Sequence, residues 1–423
     1  MCFRSPVQML RCKKIWDAEV TESVHREKTH FLPLDSIRGI AAISVVIHHV
    51  ILMKTFLAAF PQNAWVDWSF FRSGWLLVDL FFVLSGIVMS LSYVSPDFGH
   101  FSLREFMVRR LARVYPLHIV MLLVMLMFRL ARIGLVLAGV VAIAPAAFEV
   151  NNAYSFFLNV FLLHSLGFVD YLNWNAPSWS ISVEFYTYLV FGLVMLLAQW
   201  FGSRRYFYAC AALLVAGSWL AIVLVVGKNT LELQWDFGLL RCIMGFFLGV
   251  LTAKVAPLLP RSINPAVQGG LQLGALIVSV VLVSMVEAHP AISLFVPLAF
   301  AAFLGTLIAF PQAVLVPRIL DVSPLVWLGR RSYSVYMVHA VVVLFAEYFV
   351  RAVGQRPVAL LESLCGGLAA TLNLVVILIA VLILSNFTYL YVELPGGRLL
   401  RNVFRKTPDF AASSAAPSVR PLH

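Results

Sequence analysis

Two polar side chains lie inside the first long apolar segment, where residues of their type can do chemistry. Arg38 and His49 are eleven positions apart. On an α-helix this spacing places both on one face, about 16 Å apart along the axis. Ionisable groups within a membrane span are expensive and often mark a substrate or proton pathway. The pair predicts a functional stripe through the bilayer, while His48 points about 100° away around the helix.

Other polar residues lie at or just inside the ends of further apolar segments. Glu184 is about one turn inside the segment that follows Trp179, and its carboxylate can orient a histidine or accept hydrogen bonds from hydroxyl groups. Ser332, Tyr336 and His339 have the spacing i, i+4 and i+7, which predicts one shared helix face. Such a stripe fits a binding site, and it equally fits hydrogen bonding between helices.

Arginines and small residues add two more candidate positions. Arg110 and Arg113 lie one turn apart in segment 101–114, which has a capping-box start and reads as a short amphipathic helix on the cytoplasmic surface. Pro116 then suits the first turn of the next span. Paired guanidinium groups suit the binding of phosphate groups, although ordinary positive charge on a cytoplasmic loop also places arginines here. Ser85, next to a glycine, lets a helix or a ligand approach closely.

The composition identifies the class of protein that must position these residues. Hydrophobic residues make up 61% and charged residues 12%, which excludes an ordinary soluble domain. We predict an all-α, polytopic transmembrane helical bundle with about ten spans. The predicted spans are 34–56, 74–94, 115–131, 181–201, 206–227, 237–254, 268–287, 291–311, 326–350 and 367–391. The net charge of +11 reflects basic cytoplasmic loops rather than nucleic-acid binding.

The distribution of lysine and arginine predicts the orientation in the membrane. Basic residues collect in alternate loops, so both termini are expected in the cytoplasm. Residues 1–30 are predicted to be a cytoplasmic tail, 31–404 the transmembrane domain, and 405–423 a flexible cytoplasmic tail. Region 132–165 contains two short apolar pieces, which form either a re-entrant or interfacial pair or two further spans, giving twelve. The five cysteines are scattered without metal spacing, so neither a metal site nor a disulfide framework is expected.

Several of these patterns occur together in a known family. The chain resembles membrane acyltransferase family three, the bacterial O-acyltransferases that decorate surface sugars, over about residues 31–404. The resemblance is carried by patterns that match in order: Arg38-Gly39-x-Ala41-Ala42 ending in His49, Phe81-Phe82-Val83-Leu84-Ser85-Gly86, Arg110-x-x-Arg113 with Pro116, Trp179-Ser180-x-Ser182-x-Glu184, Ser332-Tyr333-x-x-Tyr336-x-x-His339, and Glu393-x-Pro395.

The resemblance implies an O-acyltransferase of the bacterial inner membrane. Its donor would be cytoplasmic acetyl-coenzyme A or another short acyl-coenzyme A, held by Arg110 and Arg113. Its acceptor would be a hydroxyl of an extracytoplasmic or lipid-linked glycan. His49 would be the general base or a transient acyl carrier, and Glu184 would orient it. Arg38 would bind phosphates of the donor or the acceptor, or it would pair with Asp35, which lies three positions earlier.

Two further readings and three secondary residues stay open at this point. A transporter or flippase would move a polar solute along the stripe without consuming an acyl donor, although no internal repeat supports that fold. An acyltransferase acting on a small molecule is also compatible with every motif. Ser85, Tyr336 and His339 are additional site candidates, and membrane lipids are expected partners.

Overall fold

The structure is a computed structural model that describes most of the chain. It describes residues 32–53, 56, 67–94, 98–139, 149–260, 262–313, 315–353, 360 and 363–404. Within these ranges every regular element is a helix, and ten helical segments are long and apolar enough to cross a membrane. The prediction of an all-α bundle with ten spans is confirmed. The predicted tails 1–30 and 405–423 lie outside the described residues, and the placement of the termini stays a prediction.

The α-helices are numbered here in chain order. They are α1 (Leu32–Ile51), α2 (Ser69–Arg72), α3 (Leu77–Met89), α4 (Leu103–Leu137), α5 (Ala153–Val160), α6 (Trp179–Trp200), α7 (Arg204–Leu220), α8 (Gly238–Val255), α9 (Pro265–Met285), α10 (Val296–Ala309), α11 (Leu315–Leu320), α12 (Ser323–Arg330), α13 (Ser332–Val353), α14 (Ala369–Thr388) and α15 (Leu394–Val403). Short π-helical turns follow α3, α7 and α14 at Ser90–Val94, Ala221–Val225 and Tyr389–Glu393.

The chain divides into two compact units. The first comprises residues 1–90, 229–231 and 245–336, and the second comprises 91–228, 232–244 and 337–423. In the first unit α1 packs against α12, because glycines let the two backbones touch. A Cβ added to Gly39 would lie 2.7 Å from the backbone nitrogen of Gly329, and one added to Gly329 would overlap the carbonyl of Asp35. This contact fixes the start of α1, the helix that carries Arg38 and His49.

Helix α3 packs in the same way against the part of α8 in the first unit. A Cβ on Gly86 would overlap the carbonyl oxygen of Phe246, and one on Gly249 would overlap the carbonyl oxygen of Val83. The contact is reciprocal, so neither glycine can carry a side chain while the helices keep this distance. The Ser85-Gly86 pair therefore admits a neighbouring helix, which is one of the two approaches that the sequence predicted.

The second unit is built on α4, which corrects one prediction. Segment 101–114 is not a separate surface helix, because α4 runs without a break through Pro116 to Leu137. Proline is tolerated within membrane helices when neighbours compensate for the lost hydrogen bond. Gly396 of α15 packs on the ring, where an added Cβ would be 2.5 Å from the Cβ of Pro116. The predicted start is confirmed, since Ser102 accepts a hydrogen bond from the Glu105 amide.

The described part of region 132–165 favours ten spans over twelve. It contains the end of α4 and the eight residues of α5, and a helix of that length extends only about 12 Å. Residues 140–148 lie outside the described ranges. The rest of the region leads from α5 into a non-helical stretch before the 3-10 turn Ala176–Ser178 and α6.

Candidate functional site

In the first unit, Arg38 is paired within its own helix. Its Nη1 lies 2.9 Å from Oδ1 of Asp35, and the two side chains are 24% and 8% exposed. Asp35 is also the residue whose carbonyl meets Gly329, so the ion pair sits at the junction of α1 and α12. The structure shows the pairing role that the sequence suggested, and phosphate binding by Arg38 stays a prediction.

The adjacent histidines at the end of α1 have different partners. Nδ1 of His49 lies 2.9 Å from the carbonyl oxygen of Val45, one turn back in the same helix. Nδ1 of His48 lies 2.8 Å from the carbonyl oxygen of Phe71, which belongs to α2. Because a carbonyl oxygen only accepts hydrogen bonds, each Nδ1 carries the proton, and the neutral ring has its lone pair at Nε2. His49 thus has the tautomer in which Nε2 can take a proton, while His48 ties α1 to α2.

Tyr336 packs on the helix that carries Ser85. Its ring meets the ring of Phe81 edge to face, with centroids 6.1 Å apart. Phe81 and Ser85 are four residues apart on α3 and share a face. Phe81 thus contacts Tyr336 and lies one helical turn from Ser85. His339 lies further along α13, in the second unit, and is fully buried.

In the second unit, a tyrosine connects Arg110 to Glu184. The Tyr188 hydroxyl donates to Oε1 of Glu184 at 2.7 Å, one turn apart on α6. The guanidinium of Arg110 on α4 lies 5.7 Å from the Tyr188 ring centroid and 5.8 Å from that of Phe106. Sequence reasoning named both charged residues and missed the tyrosine, although its i+4 spacing from Glu184 was the available signal.

Arg113 is paired with Glu393, which the sequence had noted only as part of the closing pattern. Nη1 of Arg113 donates to Oε1 of Glu393, and the carboxylate side chain is 3% exposed against 41% for the arginine. Glu393 ends the π-helical turn between α14 and α15. Single π turns are frequent at functional sites. A phosphate bound at Arg113 would share the guanidinium with this carboxylate or displace the carboxylate from it.

A further arginine in this unit was not among the predicted site residues. Arg241 on α8 is fully buried, and its guanidinium lies 5.1 Å from the ring centroid of Trp179 at the start of α6. Its Nη1 donates to the carbonyl of Leu233 at 3.2 Å. Trp179, the first residue of the pattern that ends at Glu184, is a buried packing partner of this arginine. Within the described residues, no group of three or more His, Cys, Asp or Glu side chains is arranged to hold a metal ion.

Comparison with known proteins finds a family model and several relatives that match this chain. The acyltransferase-3 model, described as an acyltransferase domain, matches residues 32–390. The chain is 27% identical over 349 residues to the O-acetyltransferase OatA of Staphylococcus aureus, covering 78% of this chain and 53% of that protein. It is 24% identical over 325 residues to the peptidoglycan O-acetyltransferase OatA of Listeria monocytogenes, covering 72% and 48%.

A third relative is the putative peptidoglycan O-acetyltransferase YrhL of Bacillus subtilis. It is 24% identical over 345 residues, covering 76% of this chain and 50% of that protein. The chain thus spans about half the length of the curated relatives that it matches. No solved structure matches it.

Proposed function

This chain belongs to the acyltransferase-3 family, and on that premise we propose that it is a membrane O-acetyltransferase acting on a glycan. It moves an acetyl or other short acyl group from cytoplasmic acyl-coenzyme A to a hydroxyl of an extracytoplasmic or lipid-linked sugar. The observation that carries the proposal is the family match over most of the membrane domain. The names of the relatives support a peptidoglycan-type acceptor. The ten apolar segments and the family support a multi-pass protein of the bacterial inner membrane.

The donor end of the proposal rests on the first turns of α4. Arg110 and Arg113 are one turn apart, and guanidinium groups bind phosphate oxygens in a bidentate manner. Under the predicted orientation this end of α4 faces the cytoplasm, where acyl-coenzyme A is found. The aromatic rings around Arg110 hold its guanidinium in place, and the carboxylate of Glu393 holds that of Arg113.

The chemical step is assigned to His49. Its Nε2 takes the proton of the acceptor hydroxyl, and the sugar oxygen attacks the thioester carbonyl. The carbon–sulfur bond then breaks, and coenzyme A leaves as the thiolate, which gains a proton. In the second variant of the step, Nε2 attacks the thioester carbonyl, the carbon–sulfur bond breaks, and coenzyme A leaves as the thiolate, which gains a proton. The acceptor hydroxyl then attacks the acyl-histidine, the nitrogen–carbon bond breaks, and the hydroxyl proton passes to the freed Nε2. Both variants need the lone pair at Nε2 that the Val45 contact provides.

Ester-linked acetate on surface glycan tests the proposal. Cells that express the wild type should add ester that mild base releases as acetate, and His49→Ala at equal membrane levels should not. A transporter would move its solute without forming an ester. An acyltransferase acting on a small molecule would consume acetyl-coenzyme A without acetylating glycan.

A further inference from the structure

Buried polar side chains of the second unit form a closed set, which we call the polar ring. Its members come from α4, α5 and the stretch that leads into α6: His118, Asn159, His164, Asn173, Asn175 and Ser178. All of them are at most 5% exposed. None belongs to the residues assigned above to the donor or to the acyl-transfer step.

One half of the polar ring is joined by hydrogen bonds of Asn159. Its Nδ2 donates to Oδ1 of Asn173 at 2.6 Å, and its backbone carbonyl accepts from Nε2 of His118 at 2.9 Å. Its Nδ2 also donates to the carbonyl of Ser155, at 2.8 Å. The amide orientation of Asn159 is therefore fixed, with Nδ2 engaged twice and Oδ1 directed elsewhere.

The two histidines close the other half. The rings of His118 and His164 are stacked nearly parallel, with centroids 5.7 Å apart. Nε2 of His164 lies 3.1 Å from Oγ of Ser178, whose amide donates to the carbonyl of Asn175 at 2.8 Å. Asn175 also donates from Nδ2 to the carbonyl of Met337 at 3.1 Å. Asn173 and Asn175 are two positions apart in the chain, so the backbone joins the two halves of the polar ring.

Three buried acceptor atoms on this ring take no hydrogen bond from the residues that the structure describes. They are Nδ1 of His118, Oδ1 of Asn159 and Oδ1 of Asn175. Nδ1 of His164 also takes no hydrogen bond from these residues, and it is a donor or an acceptor according to the tautomer of the ring. Leaving such an atom unsatisfied destabilises the folded protein, and native proteins satisfy most of them. Three within one connected set indicate that something other than these residues provides the donors.

The chemistry of the three atoms selects the kind of ligand. His118 donates from Nε2 to a carbonyl, so in the neutral ring its Nδ1 is a lone-pair acceptor, as the two amide oxygens are. A phosphate group or an acyl carbonyl only accepts hydrogen bonds and cannot pair with them. The ring contains no carboxylate and no guanidinium, so it gives a charged ligand no counter-ion. Hydroxyl groups of an uncharged sugar meet all of these conditions.

Two residues with strained backbones border the stretch that carries His164 and Asn173 of the ring. Leu162 has φ of 59° and Trp174 has φ of 46°, in the left-handed region that side-chain-bearing residues rarely adopt. Side chains hold both in place, since Ser182 donates to the Leu162 carbonyl and Asn151 accepts from the Trp174 amide. Such strain persists only where the surroundings impose it, and it is concentrated at functional sites.

We infer that the polar ring is the binding site for hydroxyl groups of the acceptor sugar. The inference rests on the proposed function and names where its acceptor is held. His118, Asn159 and Asn175 accept hydrogen bonds from the sugar, and the nearby Trp174 reports on its arrival. Because the ring atoms are buried, the sugar reaches them only after the residues that cover them have moved. The competing occupant is ordered water, which also satisfies buried acceptors.

A direct binding measurement separates these occupants. Soluble peptidoglycan fragments from a muramidase digest are titrated onto the purified full-length protein in detergent, followed by tryptophan fluorescence. The main variant is His118→Gln, which keeps a donor near the Asn159 carbonyl and lacks the acceptor at Nδ1. The second is Asn175→Ala. The matched control is Gln272→Met in the first unit, where Oε1 is equally buried and takes no hydrogen bond from the described residues.

We expect saturable binding to the wild type, a loss of at least tenfold in affinity for both ring variants, and unchanged binding for Gln272→Met. Unfolding temperatures of all four proteins show whether each variant is folded. The inference is overturned if the wild type shows no saturable binding, or if His118→Gln is folded and binds within twofold of the wild type. Binding by a wild type that forms no ester would leave this site standing and reject the proposed function. If His118→Gln leaves ester formation unchanged, the proposed function stands and this binding site is rejected.

Discussion

The hydroxyl of Tyr188 donates a hydrogen bond to Glu184 at 2.7 Å, while the face of the same tyrosine ring holds the guanidinium of Arg110. The phenol thus connects Arg110, which is proposed to bind the donor, with Glu184, which the family resemblance predicts to act in the acyl-transfer step. The two contacts use different parts of one side chain, so two substitutions can remove them separately.

We expect Tyr188→Phe to lower kcat by about 10- to 100-fold and to change the KM for acetyl-coenzyme A by less than threefold. A hydrogen bond to a charged group contributes about 1.5–3 kcal/mol, whereas the ring under Arg110 remains. Tyr188→Leu removes both contacts and should also raise the donor KM. Initial rates of ester formation against donor concentration measure both constants. Equal effects of the two substitutions would argue against separate roles.

The ion pair between Arg113 and Glu393 predicts a rescue of stability without rescue of function. Arg113→Ala leaves a buried carboxylate without its guanidinium, and we expect it to lower the free energy of unfolding by about 1–2 kcal/mol, since the arginine is partly exposed. The double variant Arg113→Ala/Glu393→Gln should recover most of that loss.

The same pair of variants then tests the role of Arg113 in donor binding. If Arg113 holds coenzyme phosphates, donor affinity stays at least tenfold below the wild type in both variants. Isothermal titration with acetyl-coenzyme A measures affinity, and thermal unfolding in detergent measures stability. Recovery of both quantities in the double variant would show that the arginine is only structural.

The contact of α3 with α8 predicts that Gly86 tolerates no side chain. Gly86→Ala would drive a methyl group into the Phe246 carbonyl, and we expect a loss of about 1–3 kcal/mol. Gly134 on α4 has no atom within 4 Å of an added Cβ, so Gly134→Ala is the matched control. It should be neutral or stabilising by up to about 1 kcal/mol through helix propensity. Thermal unfolding of both variants measures the difference, and equal unfolding temperatures would contradict the close approach.

His164 predicts a loss of stability in acid. It lies outside the candidate membrane spans, and burial, followed by the neighbouring His118, lowers its pKa from 6.5 to about 3. The unfolded chain therefore binds a proton that the folded chain does not between pH 6.5 and 3. The free energy of unfolding falls as pH falls below 6.5, by at most about 1.4 kcal/mol per pH unit from this group.

His164→Gln removes that titration and should flatten the dependence of the unfolding temperature on pH between 7.5 and 5. The comparison is made within each protein, so a constant loss of stability in the variant does not affect it. A slope in the variant equal to that of the wild type would mean that His164 is protonated in the folded protein.

Local patterns predicted the fold well because a membrane span is a local property of sequence. Each of the ten apolar runs is long enough by itself to be recognised, and each appears as a helix. The error at Pro116 has a specific cause. Proline usually marks the first turn of a helix in water, but here α15 covers its ring inside a continuous helix.

The roles of the candidate site residues stay predictions, and of their observed pairings the sequence suggested only that of Arg38 with Asp35. Arg113 and Glu393 are 280 positions apart, and no local spacing connects them. The polar ring was missed for a similar reason. His164, Asn173 and Asn175 lie in a stretch with no helical period, where polar residues are typical of an ordinary loop. Only tertiary packing shows that they are buried together with Asn159 of α5 and His118 of α4.

The most direct test of the proposed chemistry compares two adjacent histidines by the same substitution. In His49→Asn and His48→Asn, the amide replaces the Nδ1 donor to Val45 or Phe71 and lacks Nε2. Ester-linked acetate released from surface glycan is measured for the wild type and both variants at equal membrane levels. We expect His49→Asn to fall at least 100-fold, as loss of a general base or acyl carrier requires, and His48→Asn to stay within about threefold of the wild type. Acetate formation by His49→Asn at the wild-type level would contradict the assignment of His49.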